Sequence, residues 1–473
     1  MSTSARKLSL LEKVGYGLGD CGANFVFQTQ LIFLMSFYTD VFGISASVVG
    51  WMFLVSRLWD AVNDPMIGAL ADRTNTRWGK FRPWVLFTAI PFAFCFVLVY
   101  TTPDLGDKGK IVWAYVTYNL LMMVYTANNI PYSALTGVIS SDSVERTNLT
   151  AWRFLLAMTA SFVVQTFTPD LVDYFGQGNS ALGYQLTITL WAVVATVFFV
   201  ITFATTKERV HPPASQKSSV GRDLRDLLNN ASWIALAVMT LFYFVYLSMR
   251  GSIGKYYFDY YVDQQSIELF GGSISSFGVF NGAGQLASMA GILLSKPLSM
   301  RFGKRDLFRS VLLICAAITA VFYWLPPSNV TTIIGLQCLL QFIFGVTIPL
   351  TWSMMADVAD LSEWINYRRA TAMTFAATVF ALKLGLSLGG ALAGWMLDAF
   401  GYVPNSTQSE QAIHGIRLMM SFFPAVAFLL AAAALLFYKI DRHTESTLCD
   451  QLEERRRAED PSGQPNTQTE STS

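Results

Sequence analysis

Twelve long apolar stretches recur along the chain of 473 residues, and they limit its fold more than any other feature. A helix needs about 20 such residues to cross roughly 30 Å of hydrocarbon, because its backbone groups must bond to one another there. Charged residues make up only 14% of the chain, against about a quarter in soluble domains. We therefore predict an all-α membrane protein with twelve transmembrane helices. The predicted spans are 15–41, 48–71, 83–102, 111–136, 151–171, 184–205, 231–258, 274–295, 308–325, 331–357, 371–397 and 414–438.

The remaining composition excludes several classes of protein. A net charge of +1 gives no strong attraction to nucleic acid, so no nucleic-acid partner is expected. The five cysteines have no paired spacing, and the histidines His211, His414 and His443 lie in loops or at a span boundary, without a His-Glu-x-x-His motif. We therefore expect no enzymatic activity, no disulfide frame and no cofactor. The expected surroundings are a lipid bilayer, and the expected state is a monomer.

Lysine and arginine are unevenly distributed among the connections between spans. Connections on the cytoplasmic side of a membrane retain an excess of these residues. Alternate connections hold most of them, whereas the other set holds Lys108 and Lys110, with Arg417 near its last boundary. We therefore predict a multi-pass protein of a bacterial inner membrane with both termini in the cytoplasm. The basic residues of the first set are Arg73, Arg77, Lys80, Arg82, Arg146, Lys207, Arg209, Lys217, Arg222, Arg225, Lys296, Arg301, Lys304, Arg305, Arg368 and Arg369.

Polar segments divide the chain into two sets of six spans. The longest polar connection contains Pro212 and Pro213, and its composition suits a flexible linker. The last segment is too polar to bury a core, so we predict that it is disordered. The predicted domains are a cytoplasmic N-terminal segment (1–14), a first six-helix bundle (15–206), a cytoplasmic linker (207–230), a second six-helix bundle (231–438) and a cytoplasmic tail (439–473).

An internal repeat supports this division. Arg77-Trp78-Gly79-Lys80 follows the second span, and Arg301-Phe302-Gly303-Lys304 follows the eighth, 224 residues later. The basic pair after the tenth span, Arg368 and Arg369, stands at a similar displacement from Arg146 after the fourth. The agreement of the two displacements predicts duplicated halves with a binding site between them near the middle of the membrane.

Two carboxylates lie inside the second predicted span. Asp60 and Asp64 share one face of a helix, with Arg57 one turn earlier and Asn63 beside them. A charge at this depth costs about 2.5–3.5 kcal/mol, so it needs a partner or water. Carboxylate and amide oxygens suit a small hard cation such as Na⁺, and two close carboxylates also suit an exchangeable proton. The alternative is a structural ion pair with Arg57, which leaves one aspartate unexplained.

Further polar residues occur at helical spacing on neighbouring spans. Asp20, Asn24 and Gln28 form a stripe on the first span. Such amides and carboxylates suit the recognition of sugar hydroxyls, although hydrogen bonds between helices explain any single one equally well. A nearby aromatic ring such as Tyr125 is a candidate for stacking on a sugar ring. The fourth span adds Thr126, Asn128 and Asn129, just before Pro131.

Basic residues also lie within the second half. Lys383 stands near the middle of the eleventh span, where its ammonium is predicted to balance the carboxylate pair when no cation is bound. The alternative is a lysine that reaches the membrane surface. Arg250 and Lys255 border a predicted break at Gly251 and Gly254 in the seventh span, where extension to the outer surface is one interpretation.

Together these motifs resemble those of the glycoside-pentoside-hexuronide:cation symporter family, a branch of the major facilitator superfamily. The resemblance covers nearly all of the chain. It implies the major facilitator fold, with two pseudo-symmetric six-helix bundles, and transport of a sugar together with Na⁺ or H⁺. The motifs are Tyr16-Gly17-Leu18-Gly19-Asp20, Phe37-Tyr38-Thr39-Asp40, Trp59 to Pro65, Arg77-Trp78-Gly79-Lys80-Phe81-Arg82-Pro83-Trp84, Asn129-Ile130-Pro131-Tyr132, Ala356-Asp357-Val358-Ala359-Asp360 and Lys383.

The resemblance also implies roles for individual residues. Lys383 matches a buried lysine of the family, and Arg153 matches an arginine near the sugar. The two carboxylates that hold the galactoside in one family member fall at Asn24 and Asn129, which makes a galactoside a poor substrate. The local sequence is more similar to the xyloside- and glucuronide-type members, and a pentoside such as a xyloside is the preferred substrate. The implied cation site consists of Asp60, Asn63, Asp64 and Thr126.

The expected mechanism is alternating access, with the sugar between the two halves. Two alternatives of other kinds are a sugar sensor of the same fold that does not transport, and a carrier of a lipid or drug-like substrate, which favours a less amide-lined cavity. The cytoplasmic side is predicted to close through charge pairs between loops. The residues of this cytoplasmic gate are Arg77, Lys80, Asp357, Asp360 and Glu363.

Overall fold

The computed structural model describes residues 7–140, 142–209, 227–269, 272–366, 371–444, 447–448 and 451. Helices dominate it, as predicted. In chain order they are α1 (Leu10–Ser36), α2 (Ala46–Arg73), α3 (Arg82–Val99), α4 (Asp107–Ile139), α5 (Ser143–Gly176), α6 (Ser180–Thr205), α7 (Ala231–Tyr260), α8 (Ser276–Phe302), α9 (Lys304–Val321), α10 (Val330–Gly345), α11 (Thr347–Asn366), α12 (Thr371–Ala399), α13 (Glu410–Met420) and α14 (Phe422–Ala434).

Shorter elements extend or connect these helices. A π-helical turn at Phe37–Val41 continues α1, and 3-10 turns at Phe322–Trp324 and Leu435–Phe437 continue α9 and α14. The sequence did not predict the antiparallel hairpin of β1 (Ser266–Leu269) and β2 (Gly272–Ser275), which lies between α7 and α8. Its strands are only four residues each, which is too short for an alternating pattern to stand out.

Each of the twelve predicted spans coincides with helical structure. Within the described part of the chain, nine helices are long and apolar enough to cross a membrane by length and composition alone. The three predicted spans outside that set are α1, α2 and α4, with 27, 28 and 33 residues. Their length is ample for a span. Their lower hydropathy has a clear source, because these three helices carry most of the polar residues singled out above.

Two spans of the second half are interrupted. The tenth is divided at Val346 into α10 and α11, and the twelfth is divided at Ser421 into α13 and α14. A proline removes one helical N–H, and its ring crowds the carbonyl four residues earlier. Pro349 and Pro424 stand four residues after Gly345 and Met420, the last residues of α10 and α13. The two breaks therefore lie where this clash is expected.

The seventh span contradicts one prediction. α7 is continuous from Ala231 to Tyr260, so the predicted break at Gly251 and Gly254 is wrong. Gly251 instead lies against the carbonyl of Leu31, where an added Cβ would stand 3.3 Å from that oxygen. These glycines allow close helix packing rather than an interruption.

The internal repeat is visible in the backbone. Gly79 and Gly303, which match in the two repeated motifs, have φ angles of +113° and +77°. Glycine is the residue that adopts such angles without strain. Gly303 directly precedes α9, and Gly79 lies three residues before the start of α3.

The two halves meet along three pairs of helices. These pairs are α2 with α12, α5 with α8, and α1 with α7. Hydrogen bonds between the halves cluster at the end of the bundle that holds residues 37–46 and 400–405, which we call the closed end. They join Thr39 with Tyr256 (2.6 Å), Asp170 with the Ser275 N–H (2.8 Å), Ser387 with the Phe53 carbonyl (2.7 Å) and Asp40 with both Tyr402 and Asn405.

Glycines line the same junction. Gly50 of α2 faces the carbonyl of Ala391, and Gly394 of α12 faces the carbonyl of Ala46. Gly278 of α8 faces the carbonyl of Thr166 on α5. An added Cβ at Gly50 would stand only 2.8 Å from the facing oxygen, so the backbones of the two halves are in direct contact. We call this set of contacts the glycine seam.

The opposite end holds the start of α1 and the end of α6, and we call it the terminal end. Glu208, just after α6, accepts hydrogen bonds from the backbone N–H groups of Lys80 (2.8 Å), Phe81 (2.7 Å) and Arg82 (2.9 Å) at the start of α3. The first N–H groups of a helix have no partner within it, and a carboxylate is favoured there by charge. Glu208 therefore fastens the chain after α6 to the first half.

We predict that Glu208→Ala destabilises the protein by about 1–3 kcal/mol, because three helix-start N–H groups lose a charged acceptor. The midpoint of thermal unfolding in detergent should fall accordingly. Glu268→Ala in the exposed hairpin is the matched control and should leave the midpoint unchanged. Equal midpoints for Glu208→Ala and the unmodified protein would contradict this assignment.

Candidate functional site

The first charged pair of the interior lies within α2. Nη1 of Arg57 donates to Oδ2 of Asp60 at 2.8 Å, one helical turn away. Asp60 is only 2% exposed. Its second oxygen, Oδ1, is buried and has no hydrogen-bond partner among the described atoms. The ion pair predicted as an alternative therefore exists, and it leaves half of the carboxylate without a partner.

The second carboxylate of α2 joins three helices. Oδ1 of Asp64 accepts from the Thr126 hydroxyl of α4 at 3.1 Å, and Oδ2 contacts the ammonium of Lys383 on α12. About a quarter of each charged side chain is exposed, 26% for Asp64 and 25% for Lys383. The Asp64–Lys383 pair crosses from the first half to the second.

Asn63 and Thr126 are the other oxygen-bearing groups of the predicted cation site besides the two aspartates. Asn63 is 4% exposed, and its amide nitrogen has no described partner. Thr126 is 3% exposed and already bonds to Asp64. The predicted cation-site residues thus lie on α2 and α4, and the Thr126–Asp64 hydrogen bond joins the two helices. Their joint binding of an ion stays a prediction. Carboxylate, amide and hydroxyl oxygens are the donors that hard cations prefer.

A third charged pair links α1 to α5. Nε of Arg153 donates to Oδ2 of Asp20 at 2.9 Å, and Asp20 is 6% exposed. The Arg153 guanidinium also lies over the ring of Tyr132, 5.3 Å from its centroid. Asn24 donates to the Asp20 backbone carbonyl at 2.9 Å. Sequence spacing predicted the α1 stripe but gave no partner for Asp20, because that partner comes from a helix more than 130 residues away.

Amides and hydroxyls complete the first half of the candidate site. The side chain of Gln28 accepts a hydrogen bond from that of Gln165 on α5 at 3.0 Å. This pair of uncharged side chains joins α1 to α5. Asn129 donates to the Tyr125 hydroxyl at 3.3 Å, and that hydroxyl lies within electrostatic range of Asp20 and Arg153. Sequence reasoning missed Gln165, because its partner Gln28 lies on another helix, 137 residues away in the sequence.

Two of the predicted gate residues each form an ion pair within their own half in this conformation. Lys80 bonds to Asp72 at 2.8 Å within the first half, and Asp357 bonds to Lys304 at 2.7 Å within the second. The Arg77 guanidinium lies 4.5 Å from the ring centroid of Trp78. Asp360 and Glu363 lie on α11, near the terminal end. A gate between the halves remains a prediction for another conformation.

Arg250 does not extend to the surface as suggested above, whereas the Lys255 side chain is 24% exposed. Arg250 is 6% exposed, and it donates to the Met420 carbonyl at 3.1 Å and to Gln337 at 2.8 Å. The break in the twelfth span leaves the Met420 carbonyl, at the end of α13, without a helical hydrogen bond. Arg250 donates the hydrogen bond that this carbonyl would otherwise lack. Lys255 bonds to Asp259 on the same helix at 2.6 Å.

Long apolar helices around three interior charge pairs define a membrane transport protein. The family model described as "MFS/sugar transport protein" matches residues 15–442. The chain belongs to this family, the sugar-transport branch of the major facilitator superfamily, and the resemblance found in the sequence is confirmed. Its relatives are transporters, and the chain is not an enzyme.

Named relatives align along almost the whole chain. The "Inner membrane symporter YicJ" of Escherichia coli is 39% identical over 452 residues, which cover 95% of this chain and 96% of the relative. The "Putative glycoside/cation symporter YagG" of the same organism is 36% identical, and the alignment covers 96% of this chain and 97% of the relative. The "Isoprimeverose transporter" of Lactiplantibacillus pentosus is 35% identical, and the alignment covers 93% of this chain and 90% of the relative.

Solved structures support the fold. A bacterial homologue of the human lysosomal transporter Spinster superposes with a TM-score of 0.64 at 15% identity, over 91% of this chain and 98% of that one. The nucleoside transporter NupG gives a TM-score of 0.59 at 12% identity, over 91% and 100%. At these identities the likeness establishes the major facilitator fold and nothing finer.

The Asp20–Arg153 pair leads to a prediction about stability. We expect Asp20→Asn and Arg153→Gln each to destabilise the protein by about 2–4 kcal/mol, because each leaves a buried charge without its partner. The double variant should lose about 1–3 kcal/mol less than the sum. Unfolding midpoints in detergent for the four proteins measure this coupling.

Asp306→Asn and Arg309→Gln provide the control cycle, since this pair on α9 is partly exposed. Its coupling should stay below about 0.5 kcal/mol. Additive losses at Asp20 and Arg153 would mean that the pair is not coupled in the folded protein.

Proposed function

We propose that this protein is a secondary active symporter that imports a glycoside, preferably a pentoside such as a xyloside, together with Na⁺ or H⁺. Membership of the sugar-transport family supports the substrate class. The names of two relatives, a putative glycoside/cation symporter and an isoprimeverose transporter, support coupling and a xyloside.

The observation that carries the proposal is the unpartnered oxygen of Asp60. A buried acceptor without a hydrogen bond costs about 1–3 kcal/mol, and more when it is charged. Oδ1 of Asp60 is buried in this way, about one helical turn along α2 from Asp64, which bonds to Thr126. A bound cation or a proton on this oxygen removes that cost. The coupling ion therefore sits at Asp60, Asn63, Asp64 and Thr126.

Lys383 supplies the charge balance when the ion is absent. Two carboxylates of α2 face two cationic side chains, Arg57 and Lys383, so the four charges sum to zero. A cation that binds between the carboxylates adds a positive charge and weakens the contact of Lys383 with Asp64. Because that contact joins the two halves, the ion acts on their relative position.

Coupling between ion and sugar follows from reciprocity. If the ion raises the affinity for the sugar by some factor, the sugar raises the affinity for the ion by the same factor. The candidate sugar groups lie on α1, α4 and α5, and α4 also carries Thr126 of the ion site. They are Asp20, Asn24, Gln28, Tyr125, Asn129 and Arg153.

The character of these groups favours an uncharged sugar of modest size. Asn24 and Asn129 are neutral amides, which both donate to and accept from hydroxyls. The single acidic group, Asp20, is already bonded to Arg153, so the cluster has little net charge. A pentoside fits this set better than a hexuronide, whose carboxylate needs an additional positive charge.

The distribution of basic loops assigns the terminal end to the cytoplasm. Arg73, Arg77 and Lys80 lie at that end, next to Glu208. The closed end then faces outward, and the conformation is one that opens inward. The two six-helix bundles, 15–206 and 231–438, act as the rocking bodies of a monomer in a bacterial inner membrane.

We predict that Asp60→Asn and Asp64→Asn abolish accumulation of the sugar against its gradient, because each removes a ligand of the coupling ion. Exchange of sugar across the membrane should persist, since it needs no net ion movement. Uptake of radiolabelled isoprimeverose into vesicles, with an imposed Na⁺ or H⁺ gradient, measures both. Asp104→Asn in an exposed loop is the control and should behave like the unmodified protein.

Both variants accumulating the sugar normally would reject the ion assignment. An unmodified protein that binds the sugar but never accumulates it would identify a sensor instead of a symporter. Uptake that responds to a proton gradient and ignores Na⁺ would assign the proton as the driving ion.

We predict that pentosides raise the unfolding temperature of the purified protein more than hexuronides do. A ligand that binds only the folded state stabilises it by RT ln(1 + [L]/Kd), which is about 2.7 kcal/mol at one hundred times Kd. A panel of pentosides, hexosides and hexuronides, each with and without Na⁺, provides the measurement. A larger shift for a hexuronide would contradict the pentoside preference.

A further inference from the structure

A small cavity of about 40 Å³ lies between the two halves, next to Arg57 and bordered by Leu31 and Phe53. Leu31 and Phe53 also touch glycines of the second half, so the cavity lies between the candidate site and the glycine seam. It belongs to neither half alone. Its polar lining consists of Gln30, Arg57 and Tyr118 from the first half and Ser248, Ser252 and Ser387 from the second.

Several of these polar groups lack partners. Ser248 and Ser252 stand four residues apart on α7, at 4% and 3% exposure, so their hydroxyls share one face. Neither has a side-chain hydrogen bond among the described residues. The amide nitrogen of Gln30 is buried without a described partner as well. A buried polar group without a partner costs about 1–3 kcal/mol, so a polar guest that bonds to the Gln30 amide would remove this cost. The two serine hydroxyls are free to bond to the same guest.

The size of the cavity limits that guest in this conformation. A water molecule occupies about 30 Å³ of liquid, so 40 Å³ holds about one water and excludes a sugar ring. The lining comes from both halves, however. When the halves part at the closed end, Ser248 and Ser252 move away from Gln30 and Arg57, and the same groups then face a larger space.

The cavity continues the polar stripe of α1. Leu31 follows Asn24 by seven residues, so the two lie on the same face of the helix, about 10 Å apart along its axis. A pyranose bound at Asp20 and Asn24 would therefore direct its outer substituent toward the cavity. Hydroxyl and amide groups are suited to bind a second sugar unit there.

We propose that this cavity is a second substrate subsite, which receives the outer sugar unit of a disaccharide when the closed end opens. Ser248 and Ser252 are its specificity-determining residues, with Gln30 opposite them. The inference rests on the proposed sugar transport and assigns the part of the substrate that touches the second half.

The test compares the uptake of a disaccharide with that of a small glycoside that shares its xylose ring but lacks the second sugar unit. Isoprimeverose and methyl xyloside serve as the two probes in vesicle uptake. For the double variant Ser248→Ala/Ser252→Ala we expect the KM for isoprimeverose to rise at least fivefold, while the KM for methyl xyloside stays within twofold. Ser288→Ala, a serine of α8 that is equally buried, is the matched control and should change neither value.

A second measurement separates binding from packing. Ser252→Cys should react with a small thiol reagent, and isoprimeverose should slow that reaction at least fivefold, whereas methyl xyloside should not. Protection that depends on sugar length does not arise from a purely structural role. Ser288→Cys should show no protection by either sugar.

The outcomes are distinct. Equal changes in KM for both probes, or no change for either, would overturn the subsite while leaving symport intact. Equal protection of Ser252→Cys by the two sugars would overturn it too. If the unmodified protein carries neither probe, the proposed transport of xylosides fails, and the subsite fails with it.

Discussion

The structure depends on the neutralisation of charge inside a medium that cannot solvate it. Three carboxylates lie among the helices of the first half, and each has a cationic partner: Asp20 with Arg153, Asp60 with Arg57, and Asp64 with Lys383. The first two pairs lie within one half, and they also belong to the proposed sugar and ion sites. The third crosses to the second half. Whatever neutralises Asp64 in its place therefore changes the force between the two bundles, and this contact links the proposed ion site to the second half.

Much of the fold could be predicted from the sequence, because hydropathy and the cost of unpaired polar groups act locally. The spans, the matched glycines Gly79 and Gly303, and the polar face of α2 all follow from spacing along one helix. Partners could not be predicted in the same way. Arg153 reaches Asp20 across more than 130 residues, and only the packing of α5 on α1 brings them together. Gln165 and Gln30 were missed for the same reason, since groups that face them come from other helices.

Arg250 illustrates a second limit of sequence reasoning. A basic residue in a span usually reaches the surface or meets an acid, and neither is so here. It bonds instead to the Met420 carbonyl, which became available because Pro424 interrupts the twelfth span. The ring of Phe322 lies 4.2 Å from its guanidinium. The charge is thus matched to a defect in another helix, and the two features explain each other only once the chain is folded.

The glycine seam sets how this molecule is able to separate. Contacts between bare backbones have a very short range, so a displacement of an ångström or two forfeits most of their attraction. Half-parted bundles would keep little of this adhesion and would expose carbonyl groups of Ala46, Ala391 and Thr166 to incoming water. Partly separated arrangements are consequently unstable, so the junction favours two arrangements, fully closed or fully parted. This preference limits the time during which a continuous aqueous path, and hence an ion leak, exists across the membrane.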